Sequence, residues 1–186
     1  RSAGERIANI TKRIQSIHHD KTKPYPGGTQ IIQLDQDLDV LYVEDDQSSF
    51  VTLKKMLEKL GLSSVQQAKT IKEGKRFLKN KAYDLLFIDY MLPDGDGFDL
   101  LGYIQKKEIK VPIIMITGQG NEQVASKAIR NGAFDYLTKA AIDQSSLSSC
   151  ITSAMEKFRL NREITIAMKT MAEMSIKDEL TQLYNR

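Results

Sequence analysis

Between residues 39 and 137 the chain alternates short apolar runs with longer amphipathic stretches. The apolar runs are nearly continuous and are bounded by turn signals, which is typical of strands buried on both faces of a parallel sheet. Five such strands are predicted: Val40–Val43, Val65–Ala68, Leu85–Ile88, Val111–Ile116 and Phe134–Leu137. The stretches between them predict helices at 47–60, 71–80, 97–107, 121–131 and from 143 onward. Because βα crossovers are right-handed, five βα units predict an α/β fold with a doubly wound parallel sheet and a core over residues 38–145.

The pattern changes on both sides of this core. Residues 5–19 carry an isoleucine every three or four positions, which predicts a helix of unknown attachment within residues 1–20. The alternative is an ordinary surface helix packed on its own domain. Two prolines and two glycines then predict a linker over 21–37.

The fifth helix is predicted to be unusually long. It carries one apolar heptad track and then a second, separated by a phase break near 158–161, and has no glycine or proline from 143 to about 176. We interpret residues 146–177 as an extended fifth helix and coiled-coil linker, or alternatively as a helix bound against a missing domain. The candidate dimer and linker residues are Ile151, Phe158, Ile164 and Met171.

Composition narrows the class of protein. The net charge of +3 comes from 27 basic and 24 acidic residues with both signs mixed, so we expect no direct nucleic-acid contact. The single cysteine, Cys150, cannot form an internal disulfide, which favours the cytoplasm. No apolar run approaches the roughly 20 residues of a membrane span. The first residues, RSAGER, resemble neither a start nor a signal peptide, so we expect a fragment of a longer protein.

Polar side chains stand at the carboxyl ends of four predicted strands. Glu44 and Asp45 follow the first strand, Asp89 the third, Thr117 the fourth and Lys139 the fifth. Ligands of doubly wound sheets bind at this edge, and adjacent carboxylates favour a hard cation such as Mg²⁺. This set is suited to a metal-bound phosphoryl group. For the neighbouring Asp46 we favour capping of the first helix over metal binding.

The segments VLYVEDD, LLFIDYMLPDGDGFDLL, IIMITG and GAFDYLTK resemble, in order and spacing, the motifs of response-regulator (CheY-like) receiver domains over roughly residues 38–160. The resemblance implies a flavodoxin-like five-stranded parallel sheet of order 2-1-3-4-5. It also implies that Asp89 accepts a phosphoryl group from a histidine kinase or phosphotransfer protein. It further implies roles for the other matching positions. Mg²⁺ would be bound by Asp89, Asp45, Glu44 through water and the Met91 carbonyl, with Thr117 and Lys139 on the phosphoryl group and Tyr136 as the switch aromatic.

One position departs from the family. Its members usually have proline after the lysine, often through a cis bond, whereas Ala140 follows Lys139 here. A cis bond before alanine costs about 2.5–4 kcal/mol, so either this bond is strained or the loop takes another path. The alanine therefore affects where the Lys139 side chain is expected to lie, and it leaves the identity of the lysine unchanged.

The last residues, KDELTQLYNR, resemble the opening of GGDEF-type diguanylate cyclase domains. The resemblance implies that 178–186 begin a truncated output domain. The fragment would then be no enzyme beyond a receiver's autophosphatase activity, whereas the full-length protein would be a diguanylate cyclase. The leading hypothesis is a homodimer in which phosphorylation changes packing of the fourth helix, fifth strand and fifth helix. The alternatives are an unphosphorylated dimerisation or docking scaffold, or a degenerate GGDEF domain followed by a phosphodiesterase.

Overall fold

The computed structural model describes residues 38–118 and 122–184 of the chain. The main elements alternate strand and helix: β1 Asp39–Val43, α1 Gln47–Lys59, β2 Ser64–Ala68, α2 Ile71–Asn80, β3 Leu85–Asp89, α3 Gly97–Lys106, β4 Ile113–Thr117, α4 Glu122–Arg130, β5 Asp135–Thr138 and α5 Gln144–Tyr184. A ribbon of two residues per strand, Met91–Leu92 with Gly95–Asp96, separates β3 from α3. The predicted helix within 1–20 and the predicted linker at 21–37 lie outside the described residues.

The five main strands form one parallel sheet of order β2-β1-β3-β4-β5, which confirms the predicted flavodoxin-like topology. Strands β1, β3 and β4 are almost wholly buried, as their continuous apolar runs predict. The edge strand β2 is half exposed, because one of its sides has no neighbouring strand. The fourth and fifth strands begin one or two residues later than the sequence predicts.

Alternate side chains of each strand point to opposite faces of the sheet, so the core has two layers. Val40 and Tyr42 of β1 pack on the side covered by α1 and α5. Leu41 and Val43 pack on the other side, which α2, α3 and α4 cover. Helices therefore protect both faces, and the carboxyl edge of the sheet is left for the polar residues that follow the strands.

Helix α1 begins with a side-chain cap. The Asp46 carboxylate accepts a hydrogen bond from the Ser49 backbone N–H at 2.7 Å, which satisfies one of the donors that a helix leaves unpaired at its first turn. The capping role predicted for Asp46 is confirmed. The cap sets the start of α1 directly after the two site residues Glu44 and Asp45.

Helix α5 runs without interruption from Gln144 to Tyr184, past the predicted end near 176 and into the segment that resembles an output domain. Its first half packs on the sheet, where Ile151 is fully buried and Phe158 is 6% exposed. Between Leu160 and Met171 the large apolar side chains are exposed, including Ile164 at 52% and Met171 at 70%. The prediction of Ile151 and Phe158 as dimer residues is therefore corrected, because both belong to the core of their own domain. Among the described helices, none is long and apolar enough to cross a membrane.

Candidate functional site

The sheet brings the predicted site residues to one edge. Pairing of Val43 with Ile88 places the residues that follow them, Glu44 and Asp89, on adjacent strands. On the other side of β3, Asp89 is paired with Ile116 of β4, so Thr117 lies one residue further along the same edge. Lys139 follows directly after β5. The structure therefore has these four residues at the same edge of the sheet, as the sequence predicts.

Three carboxylates converge at this edge. Glu44, Asp45 and Asp89 each offer an oxygen, and these oxygens all lie within 4.8 Å of one another. Glu44 is fully buried, Asp89 is 4% exposed, and Asp45 is open to solvent. Mg²⁺ prefers oxygen ligands and keeps several waters, so one exposed carboxylate beside two buried ones fits the entry and partial hydration of this ion. The donor set is therefore compatible with the magnesium site that the sequence predicts.

Lys139 supplies the positive charge of the site. Its Nζ lies 2.7 Å from Oδ2 of Asp89 and 2.7 Å from Oε2 of Glu44. The peptide bond between Lys139 and Ala140 is trans, and residues Lys139–Ala141 form a single turn of 3₁₀ helix. The loop therefore contains no strained cis bond and follows a different path. With alanine in place of proline, the Lys139 ammonium still reaches both carboxylates.

The charges in the site shift each other's pKa. Burial raises the pKa of Asp89 above its ordinary value, and Glu44 adds to this effect, while the hydrogen bond from Lys139 opposes it. Burial acts to lower the pKa of Lys139, but the hydrogen bonds to Asp89 and Glu44 outweigh it and the pKa is raised. The ammonium therefore stays charged at neutral pH, and it compensates a carboxylate that is costly to bury.

Glu44 makes contacts that the sequence analysis did not anticipate. Tyr42 of β1, two residues earlier in the chain, donates its hydroxyl to Oε2 of Glu44 at 2.6 Å, and the Asp46 backbone N–H donates to Oε1 at 3.1 Å. Burial and this hydrogen bond raise the pKa of Tyr42, which keeps its hydroxyl protonated as a donor. The signal in the sequence is a tyrosine in an otherwise aliphatic buried strand, at spacing two from a carboxylate.

The chain turns sharply after Asp89. Met91 donates its backbone N–H to the Asp89 carboxylate, while its side chain is 67% exposed. The ribbon then returns the chain so that Gly97 donates its N–H to the Tyr90 carbonyl at 2.8 Å. A Cβ on Gly97 would lie 2.5 Å from the Asp89 carbonyl oxygen, so only glycine allows α3 to begin this close to the site.

Thr117 and Tyr136, the two residues predicted to respond to phosphorylation, differ in their exposure to solvent. Thr117 is 4% exposed at the end of β4, beside the carboxylates. Tyr136 is 38% exposed on β5, so its ring lies at the surface in this conformation. The roles of Thr117, Tyr136 and the Met91 carbonyl stay predictions, since they concern a phosphorylated or metal-bound state.

Residues 40–152 match the response regulator receiver domain family. Among similar proteins, the response regulator PilR of Pseudomonas aeruginosa is 35% identical over 115 residues, which is 62% of this chain and 25% of PilR. The photosynthetic apparatus regulatory protein RegA of Rhodobacter capsulatus is 31% identical over 112 residues, 60% of each chain. The chain thus spans between about a quarter and three fifths of these relatives.

Solved structures agree with the sequence matches. The beryllofluoride-activated NtrC4 receiver domain dimer superposes with a TM-score of 0.59 at 31% identity, covering 64% of this chain and 98% of that one. The family match spans more than half of the chain and includes every predicted site residue from Glu44 to Lys139. The chain therefore belongs to the response regulator receiver domain family.

Proposed function

We propose that the chain is a phosphorylation-dependent switch of a two-component system in which Asp89 is the phosphoryl acceptor. The observation that carries the proposal is the pairing of a buried Asp89 with the Lys139 ammonium, 2.7 Å away, beside the carboxylates of Glu44 and Asp45. The proposed donor is a phosphohistidine of a histidine kinase or phosphotransfer protein. This assignment follows from membership of the family, and the geometry of the acceptor supports it.

The proposed reaction exchanges one bond for another. A carboxylate oxygen of Asp89 forms a bond to phosphorus while the bond from phosphorus to the donor nitrogen breaks, and the imidazole leaves with the electron pair. Bound Mg²⁺, held by Asp45, Asp89 and the Met91 carbonyl with Glu44 through water, would neutralise charge on the phosphoryl oxygens. Lys139 would pair with a phosphoryl oxygen, and the Thr117 hydroxyl would donate to another.

For the output we propose that α5 carries the signal to a cyclic di-GMP domain in cis. The helix leaves the receiver core near Phe158 and continues to Tyr184, so a change at the domain reaches residues well outside it. The resemblance of residues 178–186 to the start of a GGDEF domain supports a diguanylate cyclase output. A homodimer would bring two such domains together, and the exposed apolar residues Ile164 and Met171 offer a surface for it.

Phosphorylation can be tested on the chain itself with acetyl phosphate and Mg²⁺, followed by intact-mass measurement. The expected result is one labile phosphoryl adduct, which does not form when EDTA is present from the start and is absent from Asp89→Asn. The matched control is Asp84→Asn, because Asp84 precedes β3 and lies at the opposite end of that strand. An unmodified wild-type chain would overturn the acceptor assignment and favour a docking scaffold. An adduct that survives in Asp89→Asn would overturn it in favour of another acceptor residue.

The coupling to dimerisation needs a separate measurement. Sedimentation velocity with and without beryllofluoride and Mg²⁺ should show a shift from monomer to dimer, and Asp89→Asn should show none. An unchanged distribution in a chain that does form the phosphoryl adduct would leave Asp89 as acceptor but contradict a switch that works through dimer formation.

A further inference from the structure

Oxygen Oε2 of Glu44 has two donors, Tyr42 and Lys139. The Tyr42 hydroxyl lies 2.6 Å from it and the Lys139 Nζ 2.7 Å. The Glu44 side chain is fully buried, so water does not reach it to replace either donor. Both contacts are charge-assisted hydrogen bonds to a carboxylate, which are stronger than bonds between neutral groups.

This arrangement matters when Lys139 moves. In the structure its ammonium bridges Glu44 and Asp89. A shift of the ammonium toward a phosphoryl group on Asp89 would lengthen and weaken its contact with Glu44. A buried carboxylate oxygen that loses its donor is costly. With Tyr42 present, Oε2 keeps one hydrogen bond after the ammonium leaves, so the release is less unfavourable.

We propose that Tyr42 is a positioning residue, which holds the Glu44 carboxylate in place and keeps it hydrogen-bonded while Lys139 transfers to the phosphoryl group. The inference rests on the proposed phosphorylation of Asp89. It assigns a role in phosphoryl binding to a residue of the hydrophobic core.

The surroundings of Tyr42 suit this role. Its side chain is 1% exposed, and its ring packs against Phe50 at 6.0 Å and Phe87 at 6.1 Å between centroids. The ring is therefore fixed by the core, and its hydroxyl has little freedom to leave Glu44. On the far side of the carboxylate, the Asp46 backbone N–H holds Oε1 at 3.1 Å. Two fixed donors thus orient Glu44 independently of Lys139.

The test is Tyr42→Phe, which removes the hydroxyl and keeps the ring contacts with Phe50 and Phe87. The 186-residue chain is titrated with beryllofluoride at saturating Mg²⁺, and binding is followed by NMR. Loss of one hydrogen bond to a charged group predicts about tenfold weaker beryllofluoride binding. The matched control is Tyr83→Phe, since Tyr83 is also buried and donates its hydroxyl to Gln66, outside the site.

Thermal unfolding separates positioning from stability. Both tyrosine variants are expected to lose some stability, but only Tyr42→Phe should lose affinity for beryllofluoride. Equal affinities of Tyr42→Phe and wild type would overturn the inference while leaving phosphorylation of Asp89 intact. A wild-type chain that binds no beryllofluoride would overturn the proposed function itself, and the inference with it.

A double-mutant cycle tests whether Tyr42 acts through Glu44. In a Glu44→Ala background the hydroxyl has lost its acceptor, so adding Tyr42→Phe should change beryllofluoride affinity by less than about twofold. A full tenfold loss in that background would contradict a role through Glu44.

Discussion

The two halves of α5 have a similar spacing of apolar residues and different surroundings. Ile151 in the first half is fully buried against β-sheet and α1, whereas Ile164 in the second half is 52% exposed. Both belong to apolar tracks with heptad spacing on one uninterrupted helix. The sequence pattern predicts an apolar face in each half, and residues of both faces were predicted to form the dimer and linker surface.

The difference shows what a hydrophobic stripe specifies. Apolar spacing says which side chains share a face of a helix, and it says nothing about what covers that face. In the first half the receiver's own sheet covers it. The second half extends past the end of the sheet. Apolar side chains such as Ile164 and Met171 are therefore exposed and could pack against another protein surface. The phase break near 158–161 marks this change of surroundings and leaves the helix backbone continuous.

The largest effect that this comparison predicts is on stability. Ile151→Ala removes buried methyl groups from the core and should lower the free energy of unfolding by about 2–5 kcal/mol. Ile164→Ala is the same substitution at an exposed site, and it should change the free energy by about 0.5 kcal/mol or less in dilute, monomeric protein. Urea denaturation of both variants measures the difference. Similar losses in the two would mean that the second half is also packed within its own chain.

Most of the fold could be predicted from the sequence because it depends on local periodicity. Buried strands and amphipathic helices alternate, and the right-handed crossovers of βα units then predict a doubly wound parallel sheet. The same rule placed Glu44, Asp89, Thr117 and Lys139 at one edge before any side chain was positioned. That part of the site was predictable because its residues follow the carboxyl ends of parallel strands, which all lie at one edge of the sheet.

Other parts of the site depend on three-dimensional detail. The path of the loop after Lys139 could not be chosen from the sequence, because alanine permits both a trans bond and a strained cis one. The contact between Tyr42 and Glu44 was missed because a tyrosine in a buried strand is usually explained by packing alone. Ile151 and Phe158 were assigned to a dimer surface because their spacing does not reveal that the sheet already covers them.

A second, smaller effect is predicted on association. If the exposed stripe forms the proposed homodimer, Ile164→Asp with Met171→Asp should weaken dimerisation at least about tenfold, since each places a charge in an apolar interface. Thr165→Asp with Thr170→Asp adds the same charges to other exposed positions on the helix and should have a smaller effect. Sedimentation equilibrium in the presence of beryllofluoride measures both pairs. Equal weakening would assign the effect to net charge, and the stripe would no longer be supported as the interface.

The smallest predicted effect is on the pH dependence of stability, and it arises at the N-terminus of α5. Asp143 accepts a hydrogen bond from the Ser146 N–H at 2.7 Å, and the Asp143 N–H donates to the Ser146 hydroxyl at 2.9 Å, so the two residues cap α5 reciprocally. The backbone and side-chain hydrogen bonds with Ser146 lower the pKa of Asp143 below its ordinary value. The folded chain therefore binds this proton less readily than the unfolded chain.

The sign of the resulting pH dependence follows from linkage. The contribution of Asp143 to stability is fully present above the unfolded pKa, and it is lost as the pH falls through the lower pKa of the folded state. Asp143→Asn keeps an oxygen acceptor but cannot titrate, so its stability should fall less steeply than that of the wild type below about pH 4. Urea denaturation at a series of pH values measures the two slopes, with Ser146→Ala as the matched control, because it removes the hydroxyl partner and keeps the titrating carboxylate. Parallel curves for wild type and Asp143→Asn would show that the cap has the same strength in both protonation states of Asp143, which would contradict the predicted pH dependence.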